Sequence, residues 1–224
     1  MKMSKSRIAL VLLLAFALLL PTVKVTATPG NVFVFLHSED FFPGNQKWVD
    51  SFRKCIKSYS TDTRLEARPT VVYGMQQHLK NCGSLYICCH GDDEGSVLLI
   101  DIVGTEFILF QISDVPKNMD CGLAYLGACR SAQNNTKTGK NLCSTLVSNG
   151  YKAVIGYSSD VNHYLAMEFE ENFFYYLAGG SSVYTAIEET KAYLRKHGKQ
   201  TNKAVYDDLF NAVARFGNLG ITVE

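Results

Sequence analysis

Two short apolar stretches of the chain stop at residues able to carry nucleophilic chemistry. One reads Ile87-Cys88-Cys89-His90-Gly91 and the other Tyr125-Leu126-Gly127-Ala128-Cys129. A thiol attacks as its thiolate, and a neighbouring imidazole can take the proton and later return it to a leaving amine. Gly91 can turn a bare backbone N–H toward a developing oxyanion, while Gly127 and Ala128 leave room for a substrate backbone. Each signal alone has an ordinary explanation: a strand-end His is usually a satisfied hydrogen-bonding residue, and a Cys in an exported chain is usually half of a disulfide. Found together at two strand ends, they point to a Cys129/His90 pair. His37 is a rival base, since it too ends an apolar run, although no Gly follows it.

Elements of the right kind surround these residues. Asn31 to Leu36, Thr70 to Tyr73, Ser84 to Cys89, Leu123 to Leu126 and Ala153 to Tyr157 are short apolar runs bounded by polar or turn residues, and they read as buried strands. Two apolar runs between Ser96 and Phe110, joined through Gly104, read as a hairpin lying between the His and Cys strands. Apolar residues at spacings of three and four predict helices over Gln46 to Tyr59, Met75 to Lys80, Lys140 to Ser148, Val161 to Leu177 and Val183 to Lys196, with Ser181 or Ser182 capping the last. Gln111 to Asn118 reads as a short connector helix, and Val205 to Phe216 fits a helix or an edge element equally. Strands that are nearly all apolar and alternate with helices imply a mainly parallel sheet covered on both faces. In such sheets reactive groups gather beyond the carboxyl ends of the strands, where both candidate residues lie.

The chain opens with Lys2, Lys5 and Arg7, then an apolar run from Ile8 to Leu20, then the small residues Val25 and Ala27. That is the layout of a secretory signal peptide over 1–27, and its apolar run is too short for the ~20 residues that span a bilayer. Residues 28–224 are then a single domain, secreted or held in a secretory or periplasmic compartment, with no stable membrane insertion. Without 1–27 the chain carries 18 Lys+Arg against 21 Asp+Glu, mildly acidic and without the basic stripe of a nucleic-acid binder. The Asn134-Asn135-Thr136 sequon marks Asn134 as a glycosylation candidate on an exposed loop.

An apolar strand, His-Gly, a hairpin, an apolar strand and then small-Ala-Cys-x-Ser together resemble the caspase-like clan of cysteine peptidases. The layout is more that of the CHAT branch shared with separase than that of caspases, legumains, gingipains or metacaspases. Ile155-Gly156, Asp160-Val161 and an aromatic helix ending in Gly179-Gly180-Ser181-Ser182-Val183 extend the likeness. The resemblance implies a three-layer α/β caspase-like fold. It also implies peptide hydrolysis through an acyl-enzyme: Cys129 as nucleophile, His90 as general acid/base, the Gly91 and Cys129 N–H groups holding the oxyanion, and no cofactor. Gly127 stands where caspases and legumains carry a polar side chain of the primary specificity pocket. No Arg follows the first strand, which argues against recognition of Asp. Glu39 and Asp40 follow that strand instead, and Asp160 and Ser158 follow the Ala153–Tyr157 strand, where separase has an acid for its substrate arginine. These four are candidate substrate-binding residues, and the acids suit a basic residue before the scissile bond.

Two other activities fit the same residues: a secreted binding module that keeps the fold without catalysis, and a transpeptidase or acyltransferase using the same dyad. No His/Cys set has zinc spacing, so no metal is expected. Seven cysteines leave an odd thiol in an exported chain. Cys82 lies as far before His90 as Cys121 lies before Cys129. If those strands pair in register the two residues come level on strands about 4.8 Å apart, within the Cα range of a bridge, and a Cys82–Cys121 disulfide is expected.

Overall fold

The computed structural model describes residues 32–36, 63–66, 83–100 and 106–222. Nine strands are defined there: β1 Val32–Leu36, β2 Thr63–Glu66, β3 Ser84–Cys88, β4 His90–Gly91, β5 Val97–Ile100, β6 Glu106–Phe110, β7 Cys121–Gly127, β8 Tyr151–Tyr157 and β9 Val213–Gly217. Four helices accompany them: α1 Leu142–Ser148, α2 His163–Ala178, α3 Val183–His197 and α4 Val205–Ala212. The main sheet has the order β2-β1-β3-β7-β8-β9. β2 through β8 run parallel in it, and β9 closes the edge antiparallel to β8.

β3 and β7 are buried along their whole lengths, as strands covered on both faces must be. Alternation along them feeds two cores. Tyr86, Cys88 and Tyr125 face a cluster completed by Phe169, Phe173 and Phe174 of α2 and by α3 and α4. Leu85, Ile87, Cys89 and Leu126 face a second cluster with Leu142, Cys143 and Leu146 of α1. Adjacent Cys88 and Cys89 therefore point to opposite faces. Helices on both faces of a mainly parallel sheet make this a three-layer α/β fold, as expected. The hairpin between the His and Cys strands is present as β5–β6, antiparallel and joined by β4 in a three-stranded sheet.

Side-chain caps fix where the helices begin. Asn141 accepts the N–H of Ser144, Asn162 those of Tyr164 and Leu165, and Ser182 that of Thr185. Ser182 is thus the cap of α3, and Ser181 instead donates its hydroxyl to Glu189. Two expectations change. The connector helix shrinks to a 3₁₀ turn at Ile112–Asp114, because Val115 precedes Pro116 and is held extended. Val205 to Phe216 is both a helix and an edge strand, α4 running directly into β9. The expected segments over 1–27, 46–59, 70–73 and 75–80 lie outside the described residues. No helix among the described residues is long and apolar enough to cross a membrane.

Candidate active site

Register brings the two candidate residues together. β3 and β7 pair with Leu85 opposite Ala124 and Cys88 opposite Gly127, and the Cys89 N–H continues the ladder to the Gly127 carbonyl at 3.2 Å. Extended by the same offset, His90 comes level with Cys129. Beyond that point the chain at Gly91 runs directly against the Cys129 backbone. A Cβ at Gly91 would overlap the Cys129 carbonyl oxygen and lie 2.8 Å from its carbon. Only glycine permits this approach, which is why His is followed by Gly here.

The turn after Cys129 is pinned to β8. The Ala132 N–H donates to the Tyr157 carbonyl at 2.9 Å, and the Arg130 N–H to the Ser159 carbonyl at 3.2 Å. Fully buried Ser131 donates its hydroxyl to the Leu126 carbonyl at 3.0 Å and accepts the Tyr157 N–H at 3.2 Å. The Ser of Cys-x-Ser therefore clamps β7 to β8. Arg130 holds a left-handed backbone with φ 57°, uncommon for a residue with a side chain. Its guanidinium pairs with Asp93, just past His90-Gly91, and with Asp160 at 2.5 Å. The loops after β4, β7 and β8 are tied through this one side chain.

Cys129 and His90 line one cavity of about 180 Å³ with Cys88, Gly127, Val161 and Glu170 among the other walls. The Cys129 sulfur sits between the backbone groups of Val161, whose N–H donates to it at 3.5 Å and whose carbonyl accepts from it at 3.7 Å. Burial raises the thiol above its ordinary range; the Val161 N–H pulls it back, and the Asp160 charge adds to the rise. Cys129 thus rests mainly as a thiol, and it needs a base to be activated.

At the bottom of the cavity lies Glu170 of α2, only 1% exposed. The Tyr86 hydroxyl donates to its Oε2 and the Tyr157 hydroxyl to its Oε1 at 3.0 Å. With that proton committed, the Tyr125 hydroxyl, 2.9 Å away, donates to the Tyr157 oxygen. Burial pushes the Glu170 carboxyl up to about 7 against the pull of its two phenol donors. A Cβ at Gly127 would stand 2.8 Å from Glu170 Oε1, so the missing side chain at 127 leaves the carboxyl open to the cavity.

Sequence reasoning missed Glu170. The signal for it was present: Ala166, Met167, Phe173, Phe174 and Leu177 make an apolar stripe at helical spacing, and position 170 falls inside it. Of the other candidates, Gly127 lines the cavity. Asp160 is engaged by Arg130, with its side chain 64% exposed. Ser158 bonds through both its N–H and its hydroxyl to the Ala212 carbonyl. Asn134 is exposed, on the loop before α1. Cys121 is buried at the start of β7. Cys82, His37, Glu39 and Asp40 lie outside the described residues. Among the described residues no group of His, Cys, Asp and Glu is arranged to hold a metal ion.

A Cys and a His delivered by neighbouring parallel strands of this sheet define the chain's class as a caspase-like cysteine peptidase fold. The CHAT domain family model matches residues 53–208, and the chain belongs to that family. No curated protein matches it. Among solved structures it is similar to the Arg-specific cysteine proteinase gingipain R, with TM-score 0.63 and 11% identity over 89% of this chain and 49% of that one. It is also similar to the Saccharomyces cerevisiae separase–securin complex, with TM-score 0.59 and 20% identity over 92% of this chain and 13% of that one. The chain thus spans about half of the gingipain chain and a small part of the separase one. At these identities the likeness is one of fold.

Proposed function

We propose that the chain is an exported cysteine-type endopeptidase acting through Cys129 and His90, with peptides or proteins as its substrates. The observation that carries this reading is that Cys129 and His90 share one cavity, with Gly91 packed against the nucleophile's own backbone. His90 takes the Cys129 proton as the sulfur attacks the substrate carbonyl. The Gly91 and Cys129 N–H groups receive the charge that forms on the carbonyl oxygen. The tetrahedral adduct collapses to a thioester as His90 protonates the departing amine, and water attacking the thioester restores the thiol. Export rests on the signal-peptide layout of 1–27. A preference for a basic residue before the scissile bond is part of the proposal, supported by the acidic floor of the cavity.

The test is turnover of fluorogenic peptides by the purified 28–224 chain. Cys129→Ala abolishes it on this reading, and His90→Ala lowers kcat by about 10²- to 10⁴-fold, the usual worth of a general acid–base. Undiminished turnover in Cys129→Ala would refute the assignment.

A further inference from the structure

The cavity beside Cys129 runs from a half-buried rim at His90, Cys129, Val161 and His163 to a buried floor at Glu170. Its volume, about 180 Å³, equals roughly six waters at ~30 Å³ each and falls below the ~300–1,000 Å³ of small-molecule pockets. It is the size for one side chain. Glu170 is almost completely buried, and each of its oxygens accepts a phenol proton. Neutral donors offset only part of the cost of burying a carboxylate. Among the described residues no Lys or Arg lines the cavity. A positive charge for the ionised carboxyl can then arrive with the occupant.

We propose that Glu170 is the residue that selects a cationic side chain on the substrate, serving as its counter-ion at the cavity floor. This deepens the peptidase reading and rests on it. Gly127, two positions before the nucleophile, makes the selection possible by leaving the carboxyl uncovered, so the specificity acid comes from helix α2 and not from a strand-end loop. The sequence-based candidate Asp160 is paired with Arg130, whereas among the described residues Glu170 accepts from Tyr86 and Tyr157. An ammonium or guanidinium reaching the floor forms a charge-assisted pair in a dry setting, where such pairs are strongest. Where Glu170 holds a proton before binding, that proton leaves to solvent as the cation enters. Among the described residues, the other titratable groups facing it are Tyr86 and Cys88 from β3, Tyr125 from β7 and Tyr157 from β8, with His90, Cys129 and His163 at the rim. Burial raises the three tyrosines and Cys88 well above their ordinary ranges, so they stay neutral.

The experiment compares blocked tetrapeptide amides ending in Arg or in citrulline, which matches Arg in shape and lacks its charge. Binding is measured by calorimetry on Cys129→Ala, with and without Glu170→Gln, and turnover on the wild-type chain. The expected result is Arg binding about 30-fold or more tighter than citrulline, with the preference falling to about threefold or less in the Glu170→Gln background. Equal binding of the two peptides, binding of neither, or an Arg preference that survives Glu170→Gln would overturn the proposal. Arg-selective binding without turnover would sink the peptidase reading and leave the pocket assignment standing; equal turnover of both peptides would do the reverse. The Arg–citrulline comparison in Cys129→Ala needs no change at 170, so the test holds even if Glu170→Gln does not fold. Glu170→Asp, which keeps the charge and draws it back, should show an intermediate preference.

Discussion

Replacing Glu170 with Gln removes a titration that the fold makes costly, and the cost can be worked out. Burial takes the carboxyl from its ordinary 4.5 to about 7, so the folded chain binds this proton more tightly than the unfolded one. The sign follows: below pH 4.5 both states are protonated and no cost arises, stability is lost as pH climbs toward 7, and above 7 the full cost is present. At ~1.4 kcal/mol per tenfold change in proton affinity, that cost is about 3 kcal/mol. Gln keeps the shape and cannot ionise. Its amide must turn one N–H₂ toward a tyrosine oxygen, a hydrogen-bond rearrangement of about 1 kcal/mol that does not vary with pH. Tyr86, Tyr125, Tyr157 and Cys88 around the site are held neutral by burial and add no slope. His90, Cys129 and His163 are present in both proteins, as are all other acids, and largely cancel in the difference. Urea unfolding of both proteins without peptide at pH 5, 6, 7 and 8 is the assay. Wild-type stability should fall relative to Glu170→Gln by about 2–3 kcal/mol across that range. Parallel pH profiles would refute the buried, raised carboxyl, as would a wild type that gains on the variant with rising pH.

Gly91→Ala forces a methyl into the Cys129 carbonyl and should cost about 1–3 kcal/mol while displacing the nucleophile; a urea midpoint and turnover both near wild type would contradict the close approach. Ser131→Ala strands the buried Tyr157 N–H and the Leu126 carbonyl that the hydroxyl joins. The expected loss is about 1–3 kcal/mol, checked by the same unfolding assay. Alkylation of Cys129 by iodoacetamide should be slower at pH 7 than that of a cysteine in an unstructured peptide and should still be rising past pH 9, because burial holds the thiol protonated. A rate already level at neutral pH would mean a resting thiolate.

The strands that carry the dyad were legible because a parallel strand covered on both faces has to be apolar throughout, so its polar or small end marks where the loop begins. β3, stopping two residues before His90, and β7, stopping two before Cys129, announce themselves that way. The register seen between Leu85 and Ala124 is the one that, carried two residues past β3 and β7, sets His90 level with Cys129. The boundary between α4 and β9 was not legible, since Val205, Tyr206, Leu209, Phe210, Ala212 and Val213 are apolar under either period. Asp160 drew attention by following a strand, but the pairing that takes it up depends on Arg130 crossing from another loop, a tertiary fact that no local pattern encodes. Glu170 was hidden by its neighbours: in a helix rich in Phe and Tyr the stripe reads as core, and an acid within it, with Glu168 and Glu171 beside it, is easily assigned to the solvent face. The Ser of Cys-x-Ser was visible as part of a motif, while its role as a β7–β8 clamp follows only from where Leu126 and Tyr157 lie.

The central claim is that Cys129 is a reachable nucleophile served by His90. Its most direct test is to treat the purified 28–224 chain with an acyloxymethyl-ketone peptide bearing Arg, and in parallel with one bearing Asp, and to locate the adduct by peptide mass mapping. The account predicts a stoichiometric thioether on Cys129 from the Arg probe, strongly slowed in His90→Ala and lost in Cys129→Ala. An unlabelled Cys129 found oxidised or inaccessible in folded protein, or an adduct placed on another cysteine, would contradict it.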